Sequence, residues 1–352
     1  MPRSTRALSL LLVLLAGCGN FQDVTTVVDL RVLAIRADPP EILIDPQLIT
    51  DPAQLPESFS TTVTALIVDP AGGDRPITVD ALACPRQIDA VTAATGKNGI
   101  VCKDPQSPDP DRSVAVTPPP PDSPLATRTP FGDAEMQIPS VLPRELLQRA
   151  YMIDPSAQLG FQLPIAFQLA VAAGPESEIA IKRVIFTVPP PDHADQPANA
   201  NPRITGLITY AQRDDQAMAM AMAIDPQPFD PDHPPTVPLG GSLWFEPQGA
   251  DTAAESYFAR ALTREATPQV VVSEFKETLR YAFFTTAGTF SPPSTNTVPP
   301  TIRMRPDHVH LESKYQAPTV MPADPSVVFW IVVRDERGGA SWMKGRFLLA
   351  AP

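Results

Sequence analysis

The sequence predicts an all-β chain of short strands joined by long Pro-rich loops, with at most short helices and length for two domains. Three observations carry that reading. Of 352 residues, 45 are proline, and each removes a backbone donor and fixes φ, so long helices and central strands are confined to the gaps between prolines. Those gaps hold short runs rich in Val, Ile, Thr and aromatics, closed by clusters of Pro, Asp and Gly. Hydrophobic residues reach 43% although aromatics are only 7%, a balance that argues against wholesale disorder. The length suits two ordinary domains at about 100–200 residues each.

In chain order, residues 28–36 alternate partly and stop at Asp38-Pro39-Pro40, a strand ended by prolines. Ser60 to Val68 is richer in β-branched residues and ends at Asp69-Pro70-Ala71-Gly72-Gly73, a second strand and its turn. Ile77 to Cys84 reads as a third. From Pro85 to about Pro130 the pattern gives way to Pro, Asp and Ser, including the run Pro118–Pro121, which favours polyproline II. This stretch reads as an insertion. Residues 140–152 predict one short helix, with Leu146, Leu147, Ala150 and Tyr151 on one face and Ser140 as its cap. Phe161–Ala172 and Glu178–Val188 flank Ala173-Gly174-Pro175-Glu176-Ser177 as a hairpin, and Pro164 pushes the first of them toward a sheet edge.

Residues 191–202 read as the linker, because β-branched runs give way to Pro, Asp, Ala and Asn. The expected division is therefore residues 28–190 with an insertion at about 85–140, then residues 203–352. Within the second part, Arg203–Tyr210, Val237–Phe245, Val270–Val272, Thr278–Thr285, Val327–Arg334 and Trp342–Leu349 predict strands. Thr252-Ala-Ala-Glu255 has capping-box spacing ahead of Tyr257, Phe258, Ala261 and Leu262 on a helical face, in conflict with its strand-like neighbours.

Leu279 to Phe290, ending in Gly-Thr-Phe, then Tyr315-Gln-Ala-Pro318, then Val327 to Gly339 resemble bacterial immunoglobulin-like and PKD-like modules. The resemblance implies a β-sandwich. In the last segment Phe329, Ile331 and Val333 share one face, Val328, Trp330 and Val332 the other, and Asp335–Gly339 supplies a hairpin turn. Leu30–Pro40, Thr61–Pro70 and Ala81–Cys84 are the counterpart opening strands of the first half, from which the proline-rich insertion departs. These motifs are structural and carry over no catalytic residue.

The N-terminus predicts an address. Arg3 and Arg6 precede the apolar run Ala7–Leu15 and the small residues before Cys18, which is how an export signal is built. The run is too short to span a bilayer, which takes roughly 20 residues. Leu15-Ala16-Gly17-Cys18 resembles the lipobox of bacterial lipoproteins. That resemblance implies a signal peptide over residues 1–17, acylation of Cys18 and a tether over residues 18–27. Gly19, in place of the aspartate that commonly retains such proteins at the inner membrane, leans toward the outer membrane. The whole layout resembles immunoglobulin-like lipoproteins of Gram-negative envelopes. In that oxidising setting, with Cys18 carrying lipid, Cys84 and Cys102 remain as a disulfide pair; the alternative is two free thiols or half a metal site, against which stand the lack of a CxxC and of a nearby histidine.

The net charge of −12 repels phosphates and anionic headgroups, so nucleic acid is not an expected partner, and membrane attachment falls to the lipid. No cofactor is expected. His308, His310 and Glu312 would share one strand face as metal ligands, set against a solvated face opposite Val309 and Leu311. Met218, Met220 and Met222 offer soft thioethers to Cu(I), or adaptable packing. The acidic stretches 104–111 and 225–232 lack the glycine and terminal glutamate of an EF-hand loop and read as solvated turns. There is no GxSxG, HExxH, P-loop or GxGxxG. The expectation is a lipid-anchored envelope protein with a binding or structural role toward a protein or glycan. The rivals are an envelope enzyme or glycan-processing accessory with its site under the insertion, and a metal-handling protein.

Overall fold

The computed structural model describes residues 23–45, 48, 54–70, 73, 75–85, 102, 106, 114–115, 133–154, 160, 162–213, 223–265, 267–297 and 311–351. Eight strands build the first sandwich: β1 (Arg31–Asp38), β2 (Glu41–Leu43), β3 (Ser58–Val68), β4 (Thr78–Cys84), β5 (Val114–Ala115), β6 (Asp133–Pro143), β7 (Leu163–Ala173) and β8 (Glu176–Thr187). They form one sheet in the order β1-β3-β6 and a second in the order β2-β8-β7-β4-β5. The chain changes sheets at Pro39-Pro40, where proline ends β1 and lets β2 run parallel to the end of β8.

The second sandwich repeats that plan. After a 3-10 turn at Pro191–His193 come β9 (Gly206–Tyr210), the short pair β10 (Gln212–Arg213) and β11 (Ala223–Ile224), β12 (Gln227–Pro228), β13 (Thr236–Pro238) and β14 (Ser242–Gln248). Beyond them lie β15 (Ser256–Leu262), β16 (Val270–Lys276), β17 (Arg280–Thr285), β18 (Thr289–Ser291), β19 (Ser294–Asn296), β20 (Ser313–Gln316), β21 (Ser326–Arg334) and β22 (Ala340–Ala350). The sheets are β12-β9-β14-β20-β18 and β13-β22-β21-β17-β19. As in the first sandwich, a short early strand, β13, pairs parallel with the last strand. Both halves therefore have the strand order of an immunoglobulin-type sandwich. The extra hairpin β15–β16 stands apart from both sheets.

Each sandwich has its own core. Phe167, Phe186, Val63 and Leu146 belong to the first, and Phe245, Phe283, Tyr315, Phe329 and Phe347 to the second. The outer faces of β1-β3-β6 and of β22-β21-β17 also pack together, through Leu33, Ala34, Leu66 and Val68 against Trp330 and Val332, with Val27 between. The molecule is thus four sheets deep. This explains why β21 is apolar in both phases of its alternation: Phe329, Ile331 and Val333 face the second core, and Trp330 and Val332 face the other sandwich.

Several local expectations need correction. The helix is α1 (Arg144–Ile153), capped at Pro143 with no side-chain bond, whereas Ser140 lies in β6 and donates to Ile138 O at 3.1 Å. Leu146, Leu147 and Ala150 are buried along it as their spacing requires. Strand β7 is central, not an edge. Pro164 is tolerated because β4 pairs only from Ala172 down to Ala166, so the missing N–H of Pro164 falls beyond the end of β4. Val237–Phe245 is broken into β13 and β14 in different sheets, since a Cβ on Gly241 would come within 2.8 Å of Pro238 O. The capping-box segment resolves into a single turn, α2 (Ala250–Ala253), after which Tyr257 and Phe258 sit on strand β15.

Candidate functional site

The described residues place their most unusual chemistry at the joint between the sandwiches. The β21–β22 turn, Asp335–Gly339, projects over the seam where β1 and β2 lie beside β8. Gly338 holds φ at 93°, and a Cβ there would lie 3.3 Å from Arg183 O, so the turn approaches β8 backbone to backbone. That approach carries Arg337 inward until it is 2% exposed.

Arg337 is the hub of the joint. Its Nη2 donates to Glu41 Oε2, and its Nη1 meets Glu277 Oε1 at 3.2 Å and Glu255 Oε2 at 3.5 Å. Its guanidinium also lies 4.4 Å from the centre of the Tyr257 ring. Glu41 accepts from Asn199 N at 2.7 Å, and Asn201 Nδ2 donates to Ala37 O at 2.9 Å. Residues 191–202 are in this way bonded into the joint. Burial pushes the Glu277 carboxyl up to about 7, against the pull of a Glu255 N–H and of Arg337; burial also raises Glu255 and Asp335. Three glutamates thus surround one buried guanidinium, and for Glu277 and Glu255 desolvation outweighs the attraction of Arg337.

Beside this cluster opens a cleft of 370 Å³, lined by Val32–Ile35 of β1, Ala180–Arg183 of β8 and parts of the β21–β22 turn. Lys182 is 8% exposed and donates through Nζ to Gly338 O. Burial lowers its ammonium to about 8, with Arg334 and Arg183 pushing the same way and Asp335 opposing. Arg334 Nη2 donates to Leu33 O at 2.5 Å.

Further along the interface, Lys344 of β22 meets Asp133 at 2.9 Å and Trp342 Nε1 donates to Glu135 at 3.0 Å, while Arg36 lies over the Trp342 ring at 5.0 Å. The N-terminal segment is tied to the second sandwich: Val27 N donates to Thr285 O at 2.8 Å and Thr26 Oγ1 to Gly288 O at 2.6 Å.

Of the residues singled out from sequence, Cys18, Met218, Met220, Met222, His308 and His310 lie outside the described residues, as do most of 104–111 and of the insertion. Glu312 is described and is 8% exposed. Cys84 and Cys102 are buried with Cα atoms 5.7 Å apart, a disulfide spacing, on the outer face of β4 and β7 beside Ala166. Cys102 N donates to Gln168 Oε1 at 2.9 Å. Asp230 and Asp232 form an exposed turn in which His233 Nδ1 meets Asp230 Oδ2 at 2.8 Å. Among the described residues no group of three His, Cys, Asp or Glu side chains is placed to hold a metal ion, and no helix is long and apolar enough to cross a membrane.

Lys182, Arg334 and Arg337 were not anticipated. A signal existed for Lys182: on β8 it shares the phase of Val184 and Phe186, both in the first core, so a lysine stands where the alternation asks for an apolar residue. Arg337 had no such mark, since Asp-Glu-Arg-Gly-Gly reads as a solvated turn.

No family model matches the chain, and no curated protein matches it. Among solved structures it is similar to the adhesin InvE of Yersinia pseudotuberculosis, at 9% identity and a TM-score of 0.17 over 89% of this chain; the chain spans 58% of that adhesin structure. It is also similar to a chain named BspA_C_WT, at 11% identity and a TM-score of 0.18 over 94% of this chain and 97% of that one. At these TM-scores neither superposition carries an argument about function.

Proposed function

We propose that this protein is a lipid-anchored component of a bacterial cell envelope, acylated on Cys18, directed by Gly19 toward the outer membrane, and presenting two sandwiches as one stiff binding body. The anchor rests on the N-terminal signal alone. The observation that carries the binding role is the joint: an apolar face, a buried charge cluster and an open cleft lie together where two otherwise separate sandwiches meet, a common place for ligand sites. The partner is an envelope protein or glycan, with the lipid serving as the contact to the membrane.

The anchor is tested by expressing the chain with its signal in a Gram-negative host and measuring the intact mass of the membrane-extracted protein. The expected mass is that of a chain starting at an acylated Cys18 and recovered with outer-membrane fractions, and Cys18→Ser should leave the chain uncleaved and unacylated. A wild-type protein that keeps residues 1–17, or whose Cys18 bears no lipid, would refute it.

A further inference from the structure

At the start of β1 two alternate backbone donors are taken by carboxylates from β8. Leu30 N donates to Glu176 Oε2 at 3.0 Å and Val32 N to Glu178 Oε2 at 2.5 Å. Further along β1 lies the cleft, walled by Val32–Ile35 on one side and Ala180–Arg183 on the other. Here the side chains change sign. β8 supplies Lys182 and the β21–β22 corner supplies Arg334, and neither forms an ion pair among the described residues.

Each cation is bonded only in part. Lys182 uses one of its three N–H groups on Gly338 O, and Arg334 uses one of its five on Leu33 O. Asp335, which attracts Lys182, is already engaged: Oδ1 accepts from Gly339 N at 2.6 Å and Oδ2 from Asn199 Nδ2 at 3.2 Å. Glu336 also lines the cleft, and its Oε1 accepts from Tyr257 Oη at 3.2 Å. Two desolvated cations with spare donors, facing an opening large enough for a small molecule, are complementary to an anion.

We propose that this cleft binds the anionic group of a small ligand, a carboxylate or a phosphate, between the Lys182 ammonium and the Arg334 guanidinium. The ligand's apolar part rests against Val32, Ala180 and Ile181. This deepens the binding half of the function proposed above and rests on it, but it is independent of the lipid anchor. The lowered Lys182 pKa of about 8 agrees with a cation whose environment lacks a full counter-charge, and it still leaves the group charged at neutral pH.

The test is isothermal titration of the purified full chain with two probes, inorganic phosphate and acetate, which separates the two anion chemistries. Saturable binding of at least one probe is expected. Lys182→Gln and Arg334→Gln should each weaken it at least about tenfold, the loss of one charge-assisted bond, Lys182→Arg should retain it, and the exposed Arg203→Gln should leave it unchanged. Melting temperatures of all variants separate lost binding from lost folding; if the glutamine variants unfold, Lys182→Met, which keeps the buried stem and removes the charge, should fold and lose binding, and undiminished binding there overturns the proposal. No saturable binding of either probe, or binding that survives both glutamine substitutions, overturns the proposal. An unacylated Cys18 would sink the anchor and leave this result untouched.

Discussion

At the scale of single residues, Arg337 and Glu277 decide how the joint responds to mutation and to pH. Truncating Arg337 to alanine leaves Glu41 and Glu277, both buried, without their cation. Breaking a buried pair from one side costs about 3–5 kcal/mol. Chemical denaturation of Arg337→Ala should show a loss of that order, whereas an exposed control such as Arg203→Ala should stay within about 0.5 kcal/mol. Glu277 works in the opposite sense to a stabilising carboxylate. Its folded pKa is raised from 4.5 to about 7, so the stability it contributes is fully present below pH 4.5 and is lost as pH rises through 7. Wild type should therefore lose stability relative to Glu277→Gln between pH 5 and pH 8, on the order of 1–3 kcal/mol. A difference that stays flat, or grows with pH, would mean that attraction to Arg337 outweighs desolvation.

At the scale of elements, the corner from β17 to β18 shows how a sequence motif becomes architecture. Tyr315 Oη donates to Ala287 O at 3.0 Å, and Gly288, at φ 77°, lets that carbonyl and the β20 backbone close around it. A Cβ on Gly288 would sit 2.5 Å from both Gln316 O and Tyr315 Oη. Gly288→Ala should cost at least about 2 kcal/mol, combining a clash with a left-handed backbone position; an unchanged melting temperature would show that the corner yields. Here the sequence was readable, because Gly-Thr-Phe and Tyr-Gln-Ala-Pro are local motifs with local geometry. The α1 face was readable for the same reason. The misreadings were of another kind. Whether Pro164 sits at an edge depends on where β4 stops, and whether Val237–Phe245 is one strand depends on which sheet each end joins. Both are settled by partners far away in sequence. Lys182 and Arg337 belong here too, since a strand lysine and a turn arginine become a site only when the two sandwiches meet.

At the scale of the whole molecule, the joint couples the two sandwiches. If Trp330, Val332 and Leu33 form a third core shared by both sandwiches, and Arg337 binds carboxylates on both sides of it, neither half can unfold without exposing apolar surface and buried charge on the other. The most direct measurement is differential scanning calorimetry of the purified full chain at neutral pH, repeated on Trp330→Ala/Arg337→Ala. The wild type should melt in a single transition with a ratio of calorimetric to van 't Hoff enthalpy of about 1, and the double variant should split into two. Two resolved transitions in the wild type would contradict the claim that the sandwiches act as one body.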